Sequence, residues 1–460
     1  MKIINQVYFF IISRIYTIIL IMEGGAVMKK FVLNTIIIFI FLFFITCILT
    51  FGIQLSLKNQ IKATNKVEYR VADNKVLVPQ PSQRAIANYQ FSKLFFVLRL
   101  VVTFSIPALF ILLGGIKITS SLKGVEIIKL LKLTALYMMF DLIMSIPLSF
   151  FSSFYRAKII GISNLTFLLW LEDYLKNFAL TLIITLIFVF VPYMIFIKFK
   201  RWFIILGLLT IPVGFVGSIL APVLFDPLFN DFKPLENVQV RDAISEVAKK
   251  ANIGDVKILE VDKSKETKAL NAYMTGIFNT KRIVIWDNTI NQLSTEEIKS
   301  VVAHEIGHYK LNHISKSIVL SGILSILLLW LTDLISKNII GRLSFLKNNI
   351  NSYKSLAAIP VLILVFTILS TLSDPITNWY SRKIEMDADK FAIELTHDNL
   401  TNAKLEARFM ETNLSMDDVN PIYKFWVYDH PTPKERIDMS NNYKPWESGN
   451  YRFDKIINGK

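Results

Sequence analysis

Two imidazoles and a carboxylate stand together at His304-Glu305-Ile306-Gly307-His308. At 3.6 residues per turn the two histidines fall about 40° apart on one helix face, so both can reach a single ion. Glu305 lies about 100° round from His304, the place for a general base that activates an attacking water without binding the metal. The chain has only 5 His, so this spacing rarely arises by chance, and zinc-dependent hydrolysis of a peptide bond is the expectation.

Such a site needs a third protein ligand and an open position for water. Leu311 and Ile314 occupy the places where a metzincin carries Gly and His, which excludes that class. On a continued helix His313 would sit about 180° from His304, which assigns it to packing or an interface. Cys47 is the one cysteine, so no thiolate site can form. The remaining candidate is a carboxylate in Ser381-Arg382-Lys383-Ile384-Glu385-Met386-Asp387-Ala388-Asp389, a helix-forming stretch that puts Glu385 and Asp389 one turn apart. Glu385 completes the metal ligands with His304 and His308. Asp389 then accepts a ring N–H from a ligating histidine, in the outer shell. In Asp429-His430-Pro431-Thr432-Pro433-Lys434-Glu435-Arg436, His430 supplies a donor for the oxyanion, and Arg436 either orients His430 or holds a substrate carboxylate.

These segments are set in a chain that is 53% hydrophobic and contains 35 Phe. Its apolar residues gather into blocks of about twenty, the length that crosses about 30 Å of hydrocarbon. Seven spans are expected: Phe31 to Ile53, Leu94 to Leu113, Leu131 to Phe151, Phe178 to Ile197, Phe203 to Ala221, Ser317 to Ile335 and Ser355 to Ser373. Kinks are expected at Pro107, Pro147, Pro192, Pro212 and Pro360. Arg99 and Asp141 fall within spans and must face an interior cavity or each other. Residues 1–27 read as an upstream extension ahead of a more natural start at Met28-Lys29-Lys30. Residues 28–221 carry the first five spans, 222–316 the first part of a metallopeptidase domain, 317–374 the last two spans, and 375–460 the rest of that domain. Within 222–316 the pattern predicts a helix from Val240 to Asn252, a strand from Val256 to Val261, and a hairpin of Asn271–Phe278 with Arg282–Trp286. Ser294 and Glu297 form a capping box opening a helix that runs through His313.

The net charge of +15 is spread over loops without aromatic interleaving, which fits membrane-flanking lysines and excludes nucleic acid as partner. Lys/Arg counts on alternate loops nearly balance. A transporter with a structural metal would need a fourth protein ligand and no open position, and an intact Glu305 speaks against a receptor-like scaffold with a dead site.

The chain resembles the type I CaaX prenyl endopeptidases, integral-membrane gluzincins, and more distantly the HtpX membrane proteases. The likeness rests on the His304–His308 signature, Gly161 to Thr166 with Trp170 and Asp173, and Pro227 to Asn230 with Pro234-Leu235-Glu236. It extends to Asn271-Ala272-Tyr273 with Gly276, Ser381-Arg382 ahead of Glu385, and His430-Pro431 with Arg436. It implies a mainly α, polytopic membrane protein, with about seven helices enclosing a hydrated chamber and a zincin-like α+β domain facing the cytosol. It further implies His304, His308 and Glu385 as ligands of one zinc ion, Glu305 as catalytic glutamate, and His430 and Arg436 on the oxyanion side. The Asn271-Ala272 strand would be the edge that receives an extended substrate. The substrate would be a peptide or protein, prenylated in the family, with membrane lipids around it. The Lys/Ile/Asn-rich composition without an endoplasmic reticulum retrieval signal points to a bacterial cell membrane, where general membrane-protein quality control is the alternative role.

Overall fold

The computed structural model describes residues 25–64, 66–254, 256–276 and 280–459. The expected extension over 1–27 falls outside these residues up to position 24. From Gly25 the chain is already helical, in α1 (Gly25–Ser56). The membrane half continues with α2 (Gln83–Leu112), α3 (Glu126–Ser149), α4 (Phe167–Phe188), α5 (Phe190–Lys198) and α6 (Trp202–Leu220). Phe31, Phe110 and Phe140 meet at ring separations of 5.5 to 5.6 Å and join α1, α2 and α3 in one core. Outward from it, Ile36, Phe41, Phe44 and Ile48 of α1 are exposed, an arrangement that suits lipid and not water.

Among the described residues six helical segments are long and apolar enough to cross a membrane. The expected Leu131–Phe151 span is not among them. All but its last two residues lie in α3, about 36 Å long at 1.5 Å per residue but carrying Glu126, Lys129, Lys132 and Asp141. Prolines 107, 147 and 212 lie inside helices. Pro192 follows the break between α4 and α5 at Val189. Pro360 differs from its expected place in a kink: it occupies the first turn of its helix, where the missing N–H has no helical partner to lose.

After α6 the chain leaves the membrane and builds β1 (Phe232–Pro234), α7 (Val238–Lys250), β2 (Lys257–Val261), β3 (Ala272–Thr275) and β4 (Arg282–Trp286). The sheet order is β1-β2-β4-β3, with β2 and β4 parallel and the outer pairs antiparallel, so β3 is an edge strand. Ala272 opposes Ile285 and Thr275 opposes Arg282, the antiparallel pairing expected from the sequence; residues 277–279 of that expected hairpin lie outside the described residues. Ile283 and Ile285 pack with Val302 and Ile306 of α8 (Thr295–Lys310) and with Phe391 and Ala392, the second core of the molecule.

Two long helices tie this core to the membrane. α9 (His313–Arg342) begins three residues after α8 ends. α10 (Ile359–Thr396) is one 38-residue helix, about 57 Å long and so well beyond the ~30 Å of hydrocarbon. The boundary expected at 374/375 falls inside it, at Pro375. Then follow α11 (Asn399–Thr412), α12 (Pro421–Val427), α13 (Pro433–Asn442) and two short helices, Pro445–Ser448 and Asp454–Ile457.

Candidate metal centre

The α8 helix starts where local chemistry requires. Ser294 accepts the Glu297 N–H, and the Glu297 carboxylate accepts the Ser294 N–H at 2.8 Å, closing the capping box. It stops earlier than expected, at Lys310, because Asn312 takes the left-handed conformation (φ 55°) just after the C-cap Leu311. The reversal corrects the reading of His313 as a packing residue far from His304: its buried ring lies 3.0 Å, Nδ1 to Nδ1, from His308.

α8 packs on α10 at Gly307, where a β-carbon would stand 3.1 Å from Phe391 Cδ1 and 3.3 Å from Ala388 Cα. A larger residue between the two histidines would push the helices apart. Their close approach brings His304, His308 and Glu385 together, with one ligand atom from each lying within 4.8 Å of the others. His304 Nε2 and His308 Nε2 are 3.1 Å apart. Glu385 Oε2 is 3.2 Å from His304 Nε2, and Oε1 is 3.4 Å from His308 Nε2. His304 Nδ1 lies 2.8 Å from Asp389 Oδ1, so the ring proton belongs on Nδ1 and the lone pair on Nε2. If His308 likewise donates from Nδ1 to His313, two lone pairs and a carboxylate face one point. Glu385 Oε2, buried and without a well-formed hydrogen bond, completes a donor set that fits a cation.

The electrostatics agree. Burial opposes a charge on His304, but Asp389 and Glu385 prevail and lift its pKa to about 10, so a proton and a metal compete for the same nitrogen. Glu305 is pushed above the ordinary carboxylate value mainly by burial and also by Glu385, while the imidazoles and the Met274 N–H hold it down. A carboxylate raised in this way is a better proton acceptor near neutral pH.

Arg436 does not reach toward open solvent. Its Nε and Nη2 donate to Asp389 at 2.8 and 2.6 Å, and its Nη1 lies 3.0 Å from buried Glu406. The sequence left Arg436 between His430 and a substrate carboxylate; the structure sets it behind Asp389. His430, with a side chain 54% exposed, puts Nε2 3.4 Å from Glu385 Oε2 and Nδ1 2.9 Å from Asp429. Burial lowers its pKa, but Asp429 and Glu385 raise it above the usual value, favouring a ring that carries a proton to donate. Arg382 of α10 donates to the Tyr428 carbonyl and holds this loop.

Asn271 is anchored through its backbone: its N–H donates to Thr289 at 2.9 Å and its carbonyl accepts from Thr289 and Trp286. Because Asn271 and Tyr273 bond toward β4, Ala272 and Met274 turn their backbone groups to the free edge, and the Met274 N–H faces Glu305. Sequence reasoning missed Met274 and Glu406 and set His313 apart from the metal centre. Only His313 left a trace, in the Asn just before it.

Comparison with known proteins follows the same lines. The model of peptidase family M48 matches residues 234–443, and that of the CAAX prenyl protease N-terminal region, five membrane helices, matches 69–231. The metalloprotease YhfN of Bacillus subtilis is 35% identical over 60% of this chain and 65% of its own. CAAX prenyl protease 1 of Saccharomyces cerevisiae is 31% identical over 64% of this chain and 68% of its own, and the Arabidopsis thaliana homologue is 31% identical over 68% and 73%. The chain thus spans about two thirds of these relatives' length. The crystal structure of S. mikatae Ste24p superposes with a TM-score of 0.69 over 90% of this chain and 99% of that one, at 24% identity, a shared fold.

Fold and site together define a multi-pass membrane metallopeptidase. Within that class, the chain belongs to peptidase family M48, on its CAAX prenyl protease branch.

Proposed function

We propose that this chain is a zinc endopeptidase in which His304, His308 and Glu385 hold the ion, Glu305 is the general base, and His430 supports the oxyanion. The observation that carries this reading is the convergence of two imidazole lone pairs and the Glu385 carboxylate beside a Glu305 that does not join them. The 3.1 Å between the imidazole nitrogens is near the ~3.3 Å edge of a tetrahedron with bonds of about 2.0 Å, the geometry zinc favours. Zinc in this place supplies a Lewis acid that polarises the peptide carbonyl and makes water a stronger nucleophile. Glu305 takes the proton from that water and returns it to the leaving amine. Asp389 fixes the tautomer of His304, and Arg436 holds Asp389 in place. An extended peptide added to β3 through Ala272 would present its carbonyls to this row.

Substrates are lipid-modified proteins in this reading. An apolar groove of about 260 Å³ runs between α9 and α10, lined by Leu320, Leu324, Ile376 and Ile384, the residue that precedes Glu385 in the chain. It suits a hydrocarbon chain attached close to the scissile bond. The peptidase domain is assigned to the cytoplasmic face of a bacterial cell membrane, in keeping with the family resemblance and the Lys/Ile/Asn-rich composition.

The test compares one peptide with and without an S-farnesyl group, using the zinc-loaded chain in sealed vesicles. Farnesylation should raise kcat/KM at least tenfold, with hydrolysis only where the peptidase domain faces outward, in inverted vesicles. Equal rates for the two peptides would favour membrane-protein quality control. Activity confined to right-side-out vesicles would reverse the assigned orientation.

A further inference from the structure

The membrane half contains a cavity of about 430 Å³ between α2 and α3, lined by Arg99, Thr103, Asp141, Ser145 and Ser149, with Thr367 of α10 closing it. Arg99 and Asp141 are exposed to this space, and among the described residues neither has an ion-pair or hydrogen-bond partner. Opposite charges that serve only to neutralise each other at membrane depth would be expected to close into a pair. These two stand apart across a space of the size that holds a small organic ligand.

A row of polar side chains runs along α2 from Asn88 to Arg99 and Thr103. Asn88, Ser92, Arg99 and Thr103 recur at helical spacing on one face of α2. Arg156 is held on this face by Asn88 Oδ1 at 3.0 Å, Ser92 Oγ at 2.9 Å and the Ser152 carbonyl at 2.9 Å, all neutral acceptors. Tyr423 of α12, the helix that leads into His430, packs on Tyr89 and Phe96 of α2 at 5.3 and 5.7 Å. Arg156 and Arg99 thus set two guanidinium groups along α2, on the helix that Tyr423 packs against.

We propose that this cavity binds the short carboxyl-terminal peptide released by hydrolysis, its carboxylate on Arg99 and its ammonium on Asp141. The proposal rests on the peptidase reading above. Hydrolysis breaks the C–N bond, leaves hydroxyl on the acyl carbon and gives the leaving nitrogen a proton, so the released fragment carries an ammonium at one end and a carboxylate at the other. Thr367 precedes Glu385 by 18 residues of α10, about 27 Å along the helix axis. A tail of three residues extends only about 10 Å. At its Thr367 end the cavity therefore lies beyond the reach of a three-residue tail whose scissile bond is at the metal.

The test uses the full-length, zinc-loaded chain and labelled Ala-Leu-Ala in equilibrium dialysis, beside the same peptide acetylated at its N-terminus and amidated at its C-terminus. The free peptide should bind saturably and the capped one should not. Arg99→Gln and Asp141→Asn should each weaken binding at least tenfold, and Arg99→Lys should largely retain it. All three variants should keep the wild-type rate of a first turnover, which also reports that they are folded. Equal binding of the capped peptide, or unchanged binding in Arg99→Gln and Asp141→Asn, would overturn the proposal. So would binding that is lost in Glu385→Ala, since that places the peptide at the metal. A chain that binds the tripeptide as described but cleaves no peptide would keep this site and defeat the peptidase reading.

Discussion

Replacing Glu305 by Gln is expected to leave zinc content unchanged and to lower kcat by about two to four orders of magnitude, the usual contribution of a positioned general base. The amide is nearly isosteric with the carboxylate and can still meet the Met274 N–H, so β3 and α8 should keep their places. What it cannot do is take a proton. Glu305 sits beside the ligand cluster without belonging to it, which separates its role in turnover from metal retention. Zinc assayed per mole of chain, together with single-turnover cleavage, reads the two quantities apart. A variant that retains wild-type turnover would remove Glu305 from the reaction; one that loses zinc in proportion to activity would make it a ligand.

The second large effect is a graded loss of metal affinity. Glu385→Ala removes one of the three proposed ligands and leaves His304 and His308 with ring nitrogens 3.1 Å apart and no anion to balance a cation. Its loss should exceed the about 10–100-fold expected for Asp389→Asn and for His313→Gln, which disturb only the partners of His304 and His308. Competition with a chromophoric chelator gives the three dissociation constants. Asp389→Asn should also release the Arg436 guanidinium, whose two bonds to Asp389 at 2.6 and 2.8 Å need a carboxylate. Equal affinity in wild type and Glu385→Ala would remove the carboxylate from the metal.

How far this arrangement can be read from the sequence depends on the range of the interactions involved. The capping box at Ser294 and the one-turn spacings of His304 with His308 and of Glu385 with Asp389 are local, and a helix expresses them wherever it packs. That α8 and α10 meet is a tertiary fact, visible beforehand only as a shortage of alternative ligands. Gly307, set between the histidines, is the residue that allows it.

His313 was misplaced because apolar periodicity continues across Asn312, while the backbone reverses there at φ 55°. Glu406 leaves no signal in the sequence. It lies on α11 and matters only because Arg436, from α13, reaches it. The change to polar composition after Ser373 reads as a boundary, yet α10 continues through it: polarity marks where hydrocarbon ends and does not by itself end a helix. The same distinction explains α3, which has a spanning helix's length without its apolar composition. Its Asp141 faces a cavity instead of lipid.

The most direct test of the metal centre is X-ray absorption at the zinc edge of the loaded chain. Two imidazoles, one carboxylate and at least one solvent oxygen should surround the ion, and the carboxylate contribution should vanish in Glu385→Ala. Four protein donors with no solvent, or a spectrum indifferent to the loss of Glu385, would contradict the account.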